Sequence, residues 1–239
     1  MKTAILGGFL LALFWQQCGW LAHDFLHHQV FENRKYNNWA GLLIGNIFQG
    51  FSVDWWKKKH NQHHAVPNVH GQDPDIDTMP FLAWSEHALE GFTDPAARKG
   101  MPKFVIDHQQ FFFTPLLSLA RLSWALQVNK NERSSVLTCH EKIQSIYWVR
   151  DHQKFNMRTQ EAVTLFLHWF SLFVIMFSTQ SIVNGLVYFT AAQTFCGILL
   201  ASVFALNHNG MVILDDEEAK KMDFYTLQVP VQDSCLVKY

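Results

Sequence analysis

Three long apolar runs stand out along the chain, at residues 4–22, 162–178 and 186–206. Each approaches the ~20 residues that an α-helix needs to cross the hydrocarbon core of a bilayer. Gln16 and Gln17 interrupt the first run near the end that delivers His23. A cleaved secretory leader would share the basic start at Lys2 and the small-residue end Gly19-Trp20-Leu21-Ala22. Cleavage there would leave the histidines that follow unanchored, so the run is read as a span. The second and third runs are joined by the uncharged, turn-rich residues 179–185, which predict an antiparallel helical hairpin. Three spans place residues 23–160 and the C-terminal tail on one side of the membrane. Nearly all lysine and arginine falls on that side and only Lys2 opposite, as the positive-inside rule expects.

The shorter apolar stretches are read differently. Residues 38–53 are spaced by glycine and contain Asn46 and Gln49, which suits a helix lying in the interface or against protein. The stretch ends at Trp55-Trp56 and Lys57 to Lys59, which suit the headgroup boundary on the cytoplasmic side, although the lysines equally suit a solvated face. Pro67, Gly71 and Pro74 break any helix across residues 68–77 and leave a loop carrying Asp73, Asp75 and Asp77. Residues 111–126 are strongly apolar but interrupted by Pro115 and Arg121, and are read as an interfacial or re-entrant helix. Residues 129–160 are polar and predicted to be a cytoplasmic loop. The fold class is an all-α integral membrane protein built on transmembrane helices.

Composition strengthens the membrane reading. Charged residues make up 16% of the 239 and aromatics 15%, with 21 phenylalanines. A soluble domain carries about 25% charged residues, so this chain places part of its surface in lipid. A net charge of −1 gives no basic face for nucleic acid. Cys18, Cys139, Cys196 and Cys235 are scattered without a C-x-x-C pair, which argues against a disulfide framework or a structural zinc site.

The candidate chemistry lies in the histidines. His60, His63 and His64 recur at i, i+3 and i+4, which on a helix sets three imidazoles on one face. Upstream, His23 and His27 repeat the i, i+4 spacing, with His28 adjacent. Neutral imidazoles converging on a point suit a borderline transition metal. The acidic loop can supply carboxylates that orient ligating rings. His208 ends the third span, on the side where both clusters emerge, and joins the candidate ligands. His168, in the middle of the second span, is read as a packed or hydrogen-bonded interior residue. No G-x-S-x-G, phosphate-binding loop, G-x-G-x-x-G or H-E-x-x-H competes. About six imidazoles at a bilayer face, with carboxylates behind them, suggest oxygen chemistry on a lipid, because an unactivated methylene C–H is too inert for acid–base catalysis. Two irons could supply the oxidant.

These residues resemble a known family. His23-Asp24-x-x-His27 and His60-x-x-His63-His64 are similar to the first and second histidine boxes of the membrane fatty-acid desaturases. The text around them is similar to the front-end branch, and most of all to its fungal delta-6 members: Gly19 to Phe25, Trp55-Trp56-Lys57, Pro67-Asn68-Val69-His70-Gly71, Asp73 to Asp77, Trp84 to Glu90, and Leu206 to Met211. The resemblance covers roughly residues 19–228. It implies an endoplasmic-reticulum, multi-pass enzyme with its boxes facing the cytosol. It implies a non-haem di-iron centre with ligands His23, His27, His60, His63, His64 and His208, with His28 able to replace His27. Asp24, Asp73, Asp75, Asp77 and Asn207 are candidates to support those rings. The implied reaction introduces a cis double bond into a polyunsaturated fatty acyl chain, using O2 and electrons from cytochrome b5 and its reductase. A related lipid hydroxylase, a sphingolipid desaturase or a non-catalytic metal-binding membrane protein are the alternatives.

Two departures qualify the implied activity. Front-end desaturases carry an N-terminal cytochrome b5-type domain with His-Pro-Gly-Gly, and a third box, Gln-x-x-His-His, after the last span. Neither motif occurs in these 239 residues, and no histidine follows His208. Residues 1–228 therefore read as a partial desaturase domain and 229–239 as a divergent tail. The 239-residue chain by itself is expected to make no new double bond.

Overall fold

The computed structural model describes residues 1–90, 99–126 and 157–233. The described residues form helices joined by loops, with one isolated β-bridge, between Val69 and Leu214. In chain order the helices are α1 (Lys2–Leu26), α2 (Arg34–Gly41), a π-helix (Leu42–Gln49), α3 (Val53–Ala65), α4 (Glu86–Glu90), α5 (Gly100–Asp107), α6 (Gln109–Leu117), α7 (Ala120–Leu126), α8 (Arg158–Phe177), α9 (Ile182–His208), α10 (Asp216–Ala219) and α11 (Phe224–Asp233). Three of them are long and apolar enough to cross a membrane: Lys2–Leu26, Thr159–Phe177 and Ile182–His208. These are the three predicted spans, extended by a few residues at most ends. The chain divides into two compact units, residues 1–57 with 118–201, and residues 58–117 with 202–239.

The first unit is organised by the narrow buried faces of its long helices. On α1 the buried residues are Gly8, Ala12, Trp15, Cys18, Ala22 and Leu26, a helical stripe. The other sides expose Leu6, Leu10 and Phe14, as a lipid-facing helix does. Gly8 lets α1 meet α9 closely, because a Cβ there would lie 2.7 Å from the Tyr188 carbonyl oxygen and 2.8 Å from Ala191 Cβ. On α8 the buried positions are Glu161, Leu165, His168 and Leu172, again one stripe, while Phe166, Phe170 and Phe173 are exposed. Residues 38–53 do pack against protein, as a helix that widens into π geometry and ends at Gly50 with φ 87°. A side chain at Gly50 would collide with the His168 ring, so glycine is required there twice over.

Two expectations need correction. Trp55 and Trp56 do not form a membrane-boundary belt: both are buried, in a cluster with Ala22, Leu26, Phe51 and Val53, and Trp124 packs against it. A large ring gains more from close packing than from a wet boundary. Residues 111–126, read as one interfacial or re-entrant helix, belong to two helices: Pro115 sits inside α6, which ends at Leu117, and α7 begins at Ala120. Arg121 then points inward and is 4% exposed. Most of the predicted loop 129–160 lies outside the described residues, and α8 already starts at Arg158.

The second unit has a small core of Val69, Leu214 and Leu227, flanked by Val66, Ala219 and Met222. The backbone pairs His70 N–H with Leu214 C=O at 2.8 Å and Leu214 N–H with Asn68 C=O at 3.0 Å. Just after this bridge, α10 opens with a reciprocal cap between Asp215 and Glu218. This pairing fixes residues 66–73 against the segment that follows His208.

Candidate metal centre

The histidines sit on helices whose ends are tied down. At the start of α3, the buried Glu161 carboxylate accepts from Ser52 Oγ at 2.8 Å and from Asp54 N–H at 3.2 Å. A carboxylate at a helix N-terminus satisfies donors the helix itself leaves open. Asn46 reinforces the junction, accepting from Val53 N–H at 3.2 Å.

In the first unit, the His23 and His27 rings on α1 lie with centroids 4.5 Å apart, the i, i+4 neighbours that the sequence predicted. Trp56 packs edge-to-face with both, its ring centroid at 5.7 and 5.8 Å. His23 Nδ1 donates to Asp24 Oδ1 at 3.0 Å. His28 is turned away with φ 59°. Its Nε2 lies 2.9 Å from Asn38 Oδ1, which also accepts from Lys57 Nζ at 2.8 Å. That engagement commits His28 elsewhere and leaves the His23/His27 spacing as the one the helix presents.

In the second unit, α3 carries His60, His63 and His64 in one group. His60 Nε2 and His64 Nε2 lie 3.0 Å apart. Metal–imidazole bonds of about 2.0–2.1 Å, as at zinc, set at right angles would separate two nitrogens by about this distance. The donor atoms of His63, Asp73 and His208 lie within 4.8 Å of one another. The His63 and His208 ring centroids are 5.2 Å apart. Sequence separation is large here, and only the fold brings the end of α9 to α3's second histidine.

Each of these two rings has one nitrogen assigned. His63 Nδ1 donates to Asp73 Oδ2 at 2.9 Å. His208 Nδ1 donates to Asn68 Oδ1 at 2.7 Å. Asp73 is fully buried, and its carboxylate takes three donors: His63, the Asn68 N–H at 2.7 Å and the Asp75 N–H at 2.9 Å. A carboxylate so occupied orients a ring rather than binding a metal itself. Burial disfavours the His63 imidazolium, but the Asp73 hydrogen bond and the charges of Asp75 and Asp73 outweigh it and raise its pKa. Burial pushes Asp75 up to about 6, with His63 pulling the other way. Asp75 Oδ2 stands 3.7 Å from His63 Nδ1. Asp77 and Asn207 are exposed.

The arrangement is compatible with a metal. Its donors are imidazoles, His60 and His64 present Nε2 3.0 Å apart, and Nδ1 of His63 and of His208 is held by a protein acceptor, which leaves Nε2 of each as its one unprotonated nitrogen. Asn68, not Asn207, is the asparagine bonded to His208. In the sequence Asn68 stands out only as part of the stretch Pro67 to Gly71. Its backbone, at φ 55°, is the signal: asparagine is among the few residues that tolerate that region.

A sequence profile of the family described as "Fatty acid desaturase" matches residues 3–231. The chain is 39% identical over 206 residues to the Delta(8)-fatty-acid desaturase of Euglena gracilis, covering 85% of this chain and 45% of that protein. It is 36% identical over 214 residues to the Acyl-lipid (9-3)-desaturase of Physcomitrium patens, covering 87% and 37%. It is 37% identical over 202 residues to the Delta(6)-fatty-acid desaturase fat-3 of Caenorhabditis elegans, covering 84% and 43%. The chain thus spans less than half the length of these curated relatives. No solved structure matches it significantly.

Proposed function

We propose a function from one premise: the chain belongs to the fatty acid desaturase family, in its front-end branch. On that premise it is part of an acyl-lipid desaturase of delta-6-like type that introduces a cis double bond into a polyunsaturated fatty acyl chain. His23, His27, His60, His63, His64 and His208 are its iron ligands in a non-haem di-iron centre. When bound, that centre supplies the oxidising power that no side chain can bring to an unactivated methylene. In the net reaction two adjacent methylenes lose two hydrogens. These, two electrons from cytochrome b5 and its reductase, two protons and O2 leave as two waters.

The chain's own residues hold and orient the rings. Asp73 and Asp24 accept from Nδ1 of His63 and His23, which fixes each tautomer and makes the ring a better donor. Asp75 adds negative charge beside His63. The observation that carries the reading is the His63–Asp73–His208 group, in which the fold brings His208 from the end of α9 to His63 and the carboxylate that orients it. The enzyme sits in the endoplasmic-reticulum membrane with its boxes toward the cytosol. Labels introduced at Lys130 and at Asn184 should report opposite faces, and the same face for both would overturn that orientation.

The activity is tested in a chimera. Residues 3–231 replace the aligned part of the Euglena relative, and the product is expressed with cytochrome b5 and its reductase in a host fed an 18-carbon polyunsaturated acid. A new double bond at the delta-6 position is expected, and His63→Ala abolishes it. A hydroxylated acid, a desaturated sphingoid base, or no product from a folded, iron-loaded chimera would overturn the reading.

A further inference from the structure

Asn68 is the residue through which two metal-facing histidines are set at once. Its side-chain Oδ1 accepts from His208 Nδ1 at 2.7 Å. Its backbone N–H donates at 2.7 Å to Asp73 Oδ2, the same oxygen that accepts from His63 Nδ1 at 2.9 Å. Its carbonyl accepts from Leu214 N–H at 3.0 Å, which ties down the segment that follows His208. Asn68 is 2% exposed, so water does not compete for these bonds.

Three features make this more than a loop asparagine. The φ of 55° accompanies a backbone N–H that reaches Asp73, the partner of His63, and a side chain that reaches the His208 ring itself. Few residues adopt that conformation, and asparagine is one. Pro67 precedes it, and Gln228 Nε2 donates to the His64 carbonyl at 3.0 Å, so the end of α3 is held close by. Finally, the acceptor is neutral. His208 donates to it a hydrogen bond that fixes the Nδ1–H tautomer without the negative charge that Asp73 gives His63.

We propose that Asn68 is a positioning residue for the metal centre: it fixes His208 directly and His63 through Asp73, so that both rings present Nε2 to one metal. This rests on the desaturase reading above, since it assumes that His63 and His208 are ligands. It adds a residue outside the histidine boxes, and it assigns the two rings unlike supports, one charged and one neutral.

The test separates geometry from fold. Asn68→Gly suits φ 55° and keeps the backbone N–H and C=O, deleting only the Oδ1 acceptor. Asn68→Asp restores an acceptor at the same reach. Purified chain in detergent is titrated with Co(II), whose visible absorption reports coordination, and its thermal unfolding is followed without metal. Asn68→Gly should lose about 10- to 100-fold in affinity for one equivalent of Co(II). Asn68→Asp should stay within a few-fold of wild type, and Asn68→Gly, which leaves the His208 Nδ1–H without its acceptor, should still unfold cooperatively, at a somewhat lower temperature. Should the glycine variant not fold, Asn68→Ser carries the same test, its hydroxyl being one atom short of the reach. Wild-type Co(II) affinity in the acceptor-deleted variant overturns the inference. His63→Ala tells what falls with it: if that variant also binds two equivalents normally, the metal reading fails as well. If only His63→Ala loses metal, the centre stands and Asn68 has no part in it.

Discussion

His168 and His208 are both buried, each 3% exposed, and each belongs to a network of polar groups inside an apolar surround. They differ in what is done with the second ring nitrogen. His168 Nδ1 donates to the Ile47 carbonyl at 2.8 Å, and its Nε2 accepts from Arg121 Nη2 at 3.1 Å. Both nitrogens are used within the protein. Arg121 in turn donates to Gln193 Oε1 and the Gln49 carbonyl and stacks 3.4 Å over the Trp15 ring, so its charge is dispersed over neutral acceptors and a π face. That network joins the π-helix, α7, α8 and α9 within the first unit. His208 has its Nδ1 fixed by Asn68 and stands beside His63, whose own Nδ1 is fixed by Asp73. His168 is hydrogen-bonded at both ring nitrogens, whereas His208 is held at Nδ1, as the proposed ligand role requires. The same residue type at the same burial thus has two different settings, set apart by what meets Nε2.

Exchanging which histidine is lost should break this contrast most sharply. His63→Ala removes a proposed ligand and leaves Asp73 its two backbone donors, so Co(II) affinity should fall more than about 100-fold, beyond the loss from removing a supporting group, with a smaller change in unfolding than His168→Ala. His168→Ala should do the reverse, orphaning an Arg121 donor and the Ile47 carbonyl at about 1–3 kcal/mol each, with Co(II) binding intact in what folds. Loss of metal without loss of stability in His168→Ala would collapse the distinction. Paired carboxylates sharpen it next. Asp73→Asn should weaken Co(II) binding about 10- to 100-fold. Glu161→Ala, which strips the cap from α3, should leave metal affinity in place and cost about 1–3 kcal/mol in denaturant or thermal unfolding. At Gly50→Ala the left-handed backbone alone costs about 1–2 kcal/mol and displacing the His168 ring adds to it, so the loss of stability should at least match that of Glu161→Ala. That variant should unfold earlier and bind Co(II) as wild type does. The smallest concerns Asn207→Ala: an exposed residue beside His208 should change stability by less than about 0.5 kcal/mol and metal affinity not at all. A measurable drop in affinity would return Asn207 to the supporting role proposed here for Asn68.

What the sequence determined by itself is whatever a local rule reads. Long apolar runs specify spans because every backbone polar group in lipid must bond within its own helix. The i, i+4 spacing of His23 with His27 and of His60 with His64 needs only helical geometry to bring the rings together. His168 was legible as an interior residue because it sits in the middle of an apolar run. The tertiary structure decided the rest, since those choices rest on partners far away in the chain. Trp55 and Trp56 look like boundary residues until Phe51 and Val53 fold over them. Arg121 looks like a break in an apolar stretch until Gln193, Gln49 and His168 surround it. Asn207 and Asn68 are equally polar in the sequence. Only the pairing of Asn68 with Leu214 puts one of them against His208 and leaves the other in solvent. Periodicity fixes which way a side chain leaves its helix, but not what meets it there: that depends on contacts across more than a hundred residues, for which no short-range pattern exists.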